Sequence, residues 1–113
     1  MKAYVDGSLT SVCCVLENGG TVVCPIGLSD KRVTTNEAEY LAVLLALDEG
    51  FSTDITEILS DSQLVVRQLN REYHIKEPRL RELAIQVWNK AAGRDIKFTW
   101  IPREENPAGK VLG

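Results

Sequence analysis

Three acids stand where a purely structural role explains them poorly. Asp6 lies inside Tyr4-Val5-Asp6-Gly7-Ser8, toward the end of a run of strand formers in which aspartate is disfavoured. Asp61 closes the apolar run Ile58-Leu59-Ser60, and Glu39 falls in the opening turns of the helical segment before that run. Each has an ordinary reading taken alone: a turn residue for Asp6, a partner of the helix dipole for Glu39, a helix N-cap for Asp61. Their joint placement at the ends of regular elements suggests more. Carboxylates that share a site raise one another's pKa unless a cation compensates. Magnesium favours such oxygen ligands and keeps waters that a phosphate oxygen can displace.

Whether the acids can meet depends on the elements that carry them. Lys2 to Ser8, Ser11 to Glu17 and Thr21 to Leu28 read as strands, rich in Val, Tyr and Cys. Asn18-Gly19-Gly20 tolerates positive φ and predicts an antiparallel hairpin between the second and third runs. From Asn36 to about Glu49 the apolar residues Ala38, Leu41, Ala42, Leu44, Leu45 and Leu47 recur at helical spacing, with Thr35 or Asn36 as N-cap and Gly50 as the stop. Ile55 to Ser60 reads as a buried strand, and Asp61 or Ser62 caps a brief helix running to Leu69. Pro78 fits the first turn of a third helix, carried by Leu80, Leu83, Ala84, Val87 and Trp88 and ended near Gly93. Ile96 to Ile101 forms the last strand, closed by Pro102.

This order predicts an α/β fold: a mixed five-stranded sheet, its first three strands antiparallel and the rest parallel, flanked by helices. If the first and fourth strands are neighbours, Asp6 and Asp61 emerge side by side at their carboxyl ends, where such sheets bind ligands. Glu39 reaches the same place if its helix crosses that face.

The bulk properties fit one domain spanning residues 1–113, with 44% apolar and 26% charged residues. No apolar run approaches the ~18–20 residues that span a bilayer, and Met1 leads straight into a strand, so a cytoplasmic, membrane-free protein is expected. Cys13, Cys14 and Cys24 form no CxxC pair and are expected to be reduced, buried thiols. No obligate protein partner is evident, and a monomer is expected. A net charge of −3 does not announce a nucleic-acid binder, although a net value hides how charge is distributed.

Four segments resemble the ribonuclease H type 1 family. They are Tyr4-Val5-Asp6-Gly7-Ser8, Thr34-Thr35-Asn36-Glu37-Ala38-Glu39-Tyr40, Ser60-Asp61-Ser62-Gln63-Leu64-Val65 and Trp100-Ile101-Pro102-Arg103-Glu104-Glu105-Asn106. Each is weak alone; together, in order and over nearly the whole chain, they are specific. The resemblance implies a ribonuclease H-like fold and endonucleolytic hydrolysis of the RNA strand of an RNA–DNA hybrid. It implies two divalent ions, Mg2+ or Mn2+, roughly 3.5–4 Å apart, one activating the attacking water and the other stabilising the leaving 3′ oxygen. Asp6 would bridge both ions, with Glu39 and Asp61 as further ligands and Glu39 approaching the ribose 2′-hydroxyl. By the same resemblance Gly7, Ser8 and Asn36 read the minor groove of the hybrid, and Arg32 and Thr34 grip a phosphate of the DNA strand. Read without it, Lys31 and Arg32 are solvated loop charges.

The chain departs from the family near its end. A fourth acid usually follows four residues after the asparagine matched by Asn106; here Lys110 stands in that register, and no aspartate follows Glu105. The usual loop histidine is missing, and His74, the single histidine, is expected at the surface. Asn106 is the expected substitute, its amide oxygen meeting the second ion while Pro107 and a short helix aim it inward; Glu104 and Glu105 are the alternatives. The chain ends at Gly113 without the final helix of many relatives, and no basic protrusion surrounds His74. Modest, salt-dependent substrate affinity follows. The rival is a catalytically impaired hybrid-binding module in which the charge of Lys110 displaces the second ion.

Overall fold

Alternation of side chains along β1 (Lys2–Gly7) sends Ala3 and Val5 to one face, and antiparallel β2 (Ser11–Leu16) sets Leu16 and Cys14 opposite them. The computed structural model describes residues 1–26, 33–48 and 54–113. β3 (Thr21–Pro25) continues the meander through the expected turn, where Gly19 has φ +97° and Asn18 Oδ1 accepts from the Gly20 N–H at 3.0 Å. β4 (Glu57–Ser60) pairs with β1 in parallel, and β5 (Lys97–Trp100) pairs with β4 in parallel. The sheet order is therefore β3-β2-β1-β4-β5, the mixed five-stranded arrangement expected from the sequence.

Helices α1 (Thr35–Leu47) and α3 (Pro78–Ala91) close one face. Tyr40, Val43 and Leu47 from α1 join Leu80, Leu83 and Val87 from α3 over Ala3, Val5, Cys14 and Ile58 in a single buried cluster. α2 (Gln63–Leu69) is tied to α1 by the buried Tyr40 hydroxyl, which donates to Gln68 Oε1 at 2.7 Å. Asp6 and Cys13, opposite one another in register, share the other face, where the short α4 (Pro107–Leu112) packs against β1 and β2.

One helix start differs from expectation, and another falls on one of the two expected caps. α1 is capped by Thr34 rather than Thr35 or Asn36: Thr34 Oγ1 accepts from the Glu37 N–H at 3.1 Å, because Thr34 is the last extended residue. α2 is capped by Ser62, whose Oγ accepts from the Val65 N–H at 3.3 Å, so the Asp61 carboxylate is not spent on capping. The proposed stop at Gly50, the end of the first helix at Glu49 and the end of the third strand at Leu28 lie outside the described residues. β4 begins at Glu57, two residues later than Ile55, which is nonetheless buried. All three cysteines are free thiols, Cys13 and Cys14 buried and Cys24 only partly so; burial pushes the Cys14 thiol up to about 12. Among the described residues no helix is long and apolar enough to cross a membrane.

Candidate active site

Parallel pairing of β1 with β4 sets Val5 opposite Ser60, so the next residues, Asp6 and Asp61, leave the sheet side by side. Glu39 comes in from α1, which approaches β1 unusually closely. The approach depends on Gly7: a Cβ at that position would collide with the carbonyl of Ala38, so only glycine allows the helix backbone to lie there. The Gly7 N–H in turn donates to Glu39 Oε1 at 2.6 Å and holds the carboxyl over the end of β1. The result is that one carboxylate oxygen each from Asp6, Glu39 and Asp61 lie within 4.8 Å of one another.

Burial and mutual repulsion set the electrostatics. Glu39 is 7% exposed and its carboxyl is pushed up to about 8, first by desolvation and then by the neighbouring charge of Asp6. Asp6, 4% exposed, is also raised, by desolvation and by Asp61, while its hydrogen bond with Glu39 and the positive charge of Arg103 act the other way. Three acids crowded from different elements fit a hard divalent cation, whose charge would offset the repulsion and whose preferred donors are carboxylate oxygens. The α4 side of the cluster fits as well. Gly109 faces it with no side chain, and a Cβ there would stand 3.6 Å from both Asp6 Oδ2 and Asp61 Oδ2.

Asn106 does reach the cluster, and its nitrogen is the atom that meets Asp61. Its Nδ2 donates to Asp61 Oδ2 at 3.0 Å and to the Val5 carbonyl at 2.9 Å, while Oδ1 accepts from the Ala108 N–H at 3.1 Å as the N-cap of α4. The amide oxygen expected to meet a second ion caps α4 here, and the fully buried side chain presents N–H to Asp61. Glu104 and Glu105 sit exposed on a 3-10 turn, Arg103–Glu105, outside the group of three acids. Lys110 is exposed as well, and Gly109 rather than Lys110 faces the carboxylates.

The remaining residues named from the sequence are placed as follows. Gly7 is buried and its N–H donates to Glu39. Ser8 Oγ donates to the Ser11 carbonyl at 3.2 Å and holds the β1–β2 turn. Thr34 and Asn36 are exposed at the start of α1, with the Thr34 hydroxyl also donating to Glu37 Oε1 at 3.3 Å. Arg32 lies outside the described residues. His74 is exposed, as expected. Sequence reasoning quoted Arg103 without assigning it a use; its signal was its place directly ahead of the segment that ends in Asn106.

A family profile described as reverse transcriptase-like matches residues 5–112. The ribonuclease HI of Halobacterium salinarum is 33% identical over 122 residues, covering 99% of this chain and 61% of the relative. The crystal structure of RNase H1 from that archaeon matches with a TM-score of 0.78 at 30% identity, covering 98% of this chain and 92% of the other. LC11-RNase H1, crystallised in complex with an RNA/DNA hybrid, matches with a TM-score of 0.76 at 26% identity, covering 99% of each chain. The bifunctional protein Rv2228c of Mycobacterium tuberculosis is 37% identical over 78 residues, 66% of this chain, which spans only about a fifth (21%) of that relative's length. Sheet order and gathered carboxylates together define a ribonuclease H-like protein. The chain belongs to the ribonuclease H type 1 family.

Proposed function

We propose that this chain is a divalent-metal-dependent endonuclease that hydrolyses the RNA strand of RNA–DNA hybrids. The observation that carries the reading is the meeting of Asp6, Glu39 and Asp61 within 4.8 Å, a repulsive arrangement that a divalent cation would offset. Support comes from relatives named as ribonucleases H, one of them crystallised with the hybrid itself. The three carboxylates are assigned as ligands of Mg2+ or Mn2+, two ions by family resemblance, which when bound supply an activated water and neutralise charge on the phosphate.

The chain's own residues prepare that site. Gly7 aims Glu39, Asn106 steadies Asp61, and Glu39 carries its proton up to about pH 8 while no cation competes for the oxygen. Arg103 brings positive charge to the Asp6 edge of the cluster, where phosphate oxygens would arrive. Exposed Thr34 and Asn36, with Arg32 nearby in sequence, are assigned to the hybrid, Thr34 and Arg32 toward a phosphate and Asn36 toward the minor groove. Ser8 is assigned beside them with its turn hydroxyl.

The test is cleavage of a hybrid labelled on its RNA strand, with Mg2+ or Mn2+ and with EDTA, by the wild type and by Asp6→Asn. Metal-dependent cutting by the wild type alone is the expected result. Hybrid bound and left intact by the wild type would instead select the impaired binding module.

A further inference from the structure

α1 and α3 pack side by side, and an arginine joins them at each end. At the far end Arg94 donates to the carbonyl of Leu47, the last residue of α1, at 3.2 Å. At the near end Arg79 Nε donates to Glu37 Oε2 at 2.9 Å. The two helices therefore run in the same direction, and the start of α3 is held against the opening turns of α1, which follow the cap Thr34 and carry Asn36 and Glu39.

Neither Arg79 nor Glu37 is used as helix chemistry alone would use it. Arg79 is the second residue of α3, where the helix dipole disfavours a cation, and that first turn holds no acid. Glu37 closes Thr34-Thr35-Asn36-Glu37, the pattern of a capping box, in which the acid reaches back to the N–H of the cap. Here its carboxylate takes the guanidinium on one oxygen and the Thr34 hydroxyl, at 3.3 Å, on the other. The Glu37 side chain is 11% exposed and that of Arg79 60%. A pair with so exposed a cation adds little to the stability of a fold. It does change the charge beside Thr34: without Arg79, the Glu37 carboxylate would stand next to that hydroxyl stripped of its ion-pair partner. A hydroxyl also has a single proton, so Thr34 cannot donate to Glu37 and to a phosphate oxygen at once.

We propose that Arg79 is a positioning residue for hybrid recognition that acts through Glu37. It neutralises the Glu37 carboxylate and draws it toward α3, so that Thr34 can turn its hydroxyl proton from Glu37 to a phosphate oxygen with no unpaired acid repelling that phosphate. Arg79 itself touches no nucleic acid in this arrangement. The inference rests on the hybrid-nuclease reading, in which Thr34 and Asn36 face the substrate, and adds to it a residue of α3 that governs how well they do so.

The experiment measures hybrid affinity by fluorescence anisotropy, in EDTA so that nothing is cut, for wild type, Arg79→Met, Glu37→Gln and the double variant, with thermal melting alongside. Arg79→Met is expected to bind about fivefold more weakly, the order of one uncompensated charge near a phosphate. Glu37→Gln is expected to bind at least as tightly as wild type. The double variant should return to within about twofold of wild type, because a neutral amide needs no counter-charge. With Mg2+, Arg79→Met should raise KM and leave kcat unchanged. Arg94→Met removes the other arginine between the same helices and is expected to lower the melting temperature without changing hybrid affinity. Unchanged affinity in Arg79→Met overturns the proposal. So does a loss that persists in the double variant, which marks a direct phosphate contact, or an equal weakening by Arg94→Met, which marks helix packing alone. A wild type that cuts hybrid with an affinity indifferent to Arg79 removes this inference and leaves the nuclease reading; a wild type that shows the rescue without cutting does the reverse.

Discussion

Asn106 Nδ2 lies 3.0 Å from Asp61 Oδ2 and donates to it, so the one acid of the cluster that is only partly buried is held in place by a fully buried amide. The same nitrogen bonds to Val5 at 2.9 Å, which links the ends of β1 and β4 through a residue of neither strand. Asn106 thus meets the cluster as a donor.

Asn106→Asp separates that role from metal ligation. The variant retains an oxygen to cap α4 but loses both donations and sets a negative charge against Asp61. Hybrid cleavage is expected to fall at least about tenfold, the order of loss seen when an outer partner of a metal ligand is removed. Cleavage at or above the wild-type rate would restore the oxygen-ligand role.

The raised Glu39 carboxyl makes the metal-free fold sensitive to pH. Between its ordinary value of 4.5 and about 8, native Glu39 holds a proton that the unfolded chain has lost. Its contribution is therefore fully present below pH 4.5 and disappears as pH rises through 8. Denaturant unfolding in EDTA across this range should show stability declining with pH for wild type, with a flatter profile for Glu39→Gln. Added Mg2+ or Mn2+ should stabilise the wild type more at high pH than at low pH, because fewer protons then compete for the carboxylates.

Gly7→Ala tests the close approach of α1 to β1. The added methyl meets the Ala38 carbonyl, and helix and strand must separate to admit it. A loss of about 2–3 kcal/mol in unfolding free energy is expected, in the range of overpacked cores. The separation also draws Glu39 away from Asp6, so the divalent-ion melting shift should shrink along with stability.

Gly109→Asp adds a carboxylate on the open side of the cluster, its Cβ in ordinary contact at 3.6 Å from two carboxylate oxygens. Metal-free melting should drop through repulsion, while the upward shift produced by Mn2+ should grow. Lys110→Asp, at an exposed neighbouring position, should change the Mn2+ shift much less. Equal behaviour of the two variants in a thermal titration would contradict the facing of Gly109.

Much of this protein was legible in the sequence. Strand and helix periods are local properties, so Lys2–Gly7, Glu57–Ser60 and Pro78–Ala91 lie close to the runs that announced them. A strand, helix and strand in succession also implied parallel strands, whereas the pairing of β4 with β1 that sets Asp6 beside Asp61 was only a condition in the sequence and is decided by the sheet. What the linear pattern could not decide was which atom or which side of a short element faces the acids. Asn106 turns nitrogen toward Asp61 because the Ala108 N–H claims its oxygen. Gly109 rather than Lys110 meets the carboxylates because α4 docks on β1 and β2 in one rotation about its axis. Arg71 and Trp88, which form one stack, belong to a helix end and a separate helix. Side-chain type and period are written residue by residue, whereas rotation, register of contact and the partner of each hydrogen bond exist only once distant segments pack against each other.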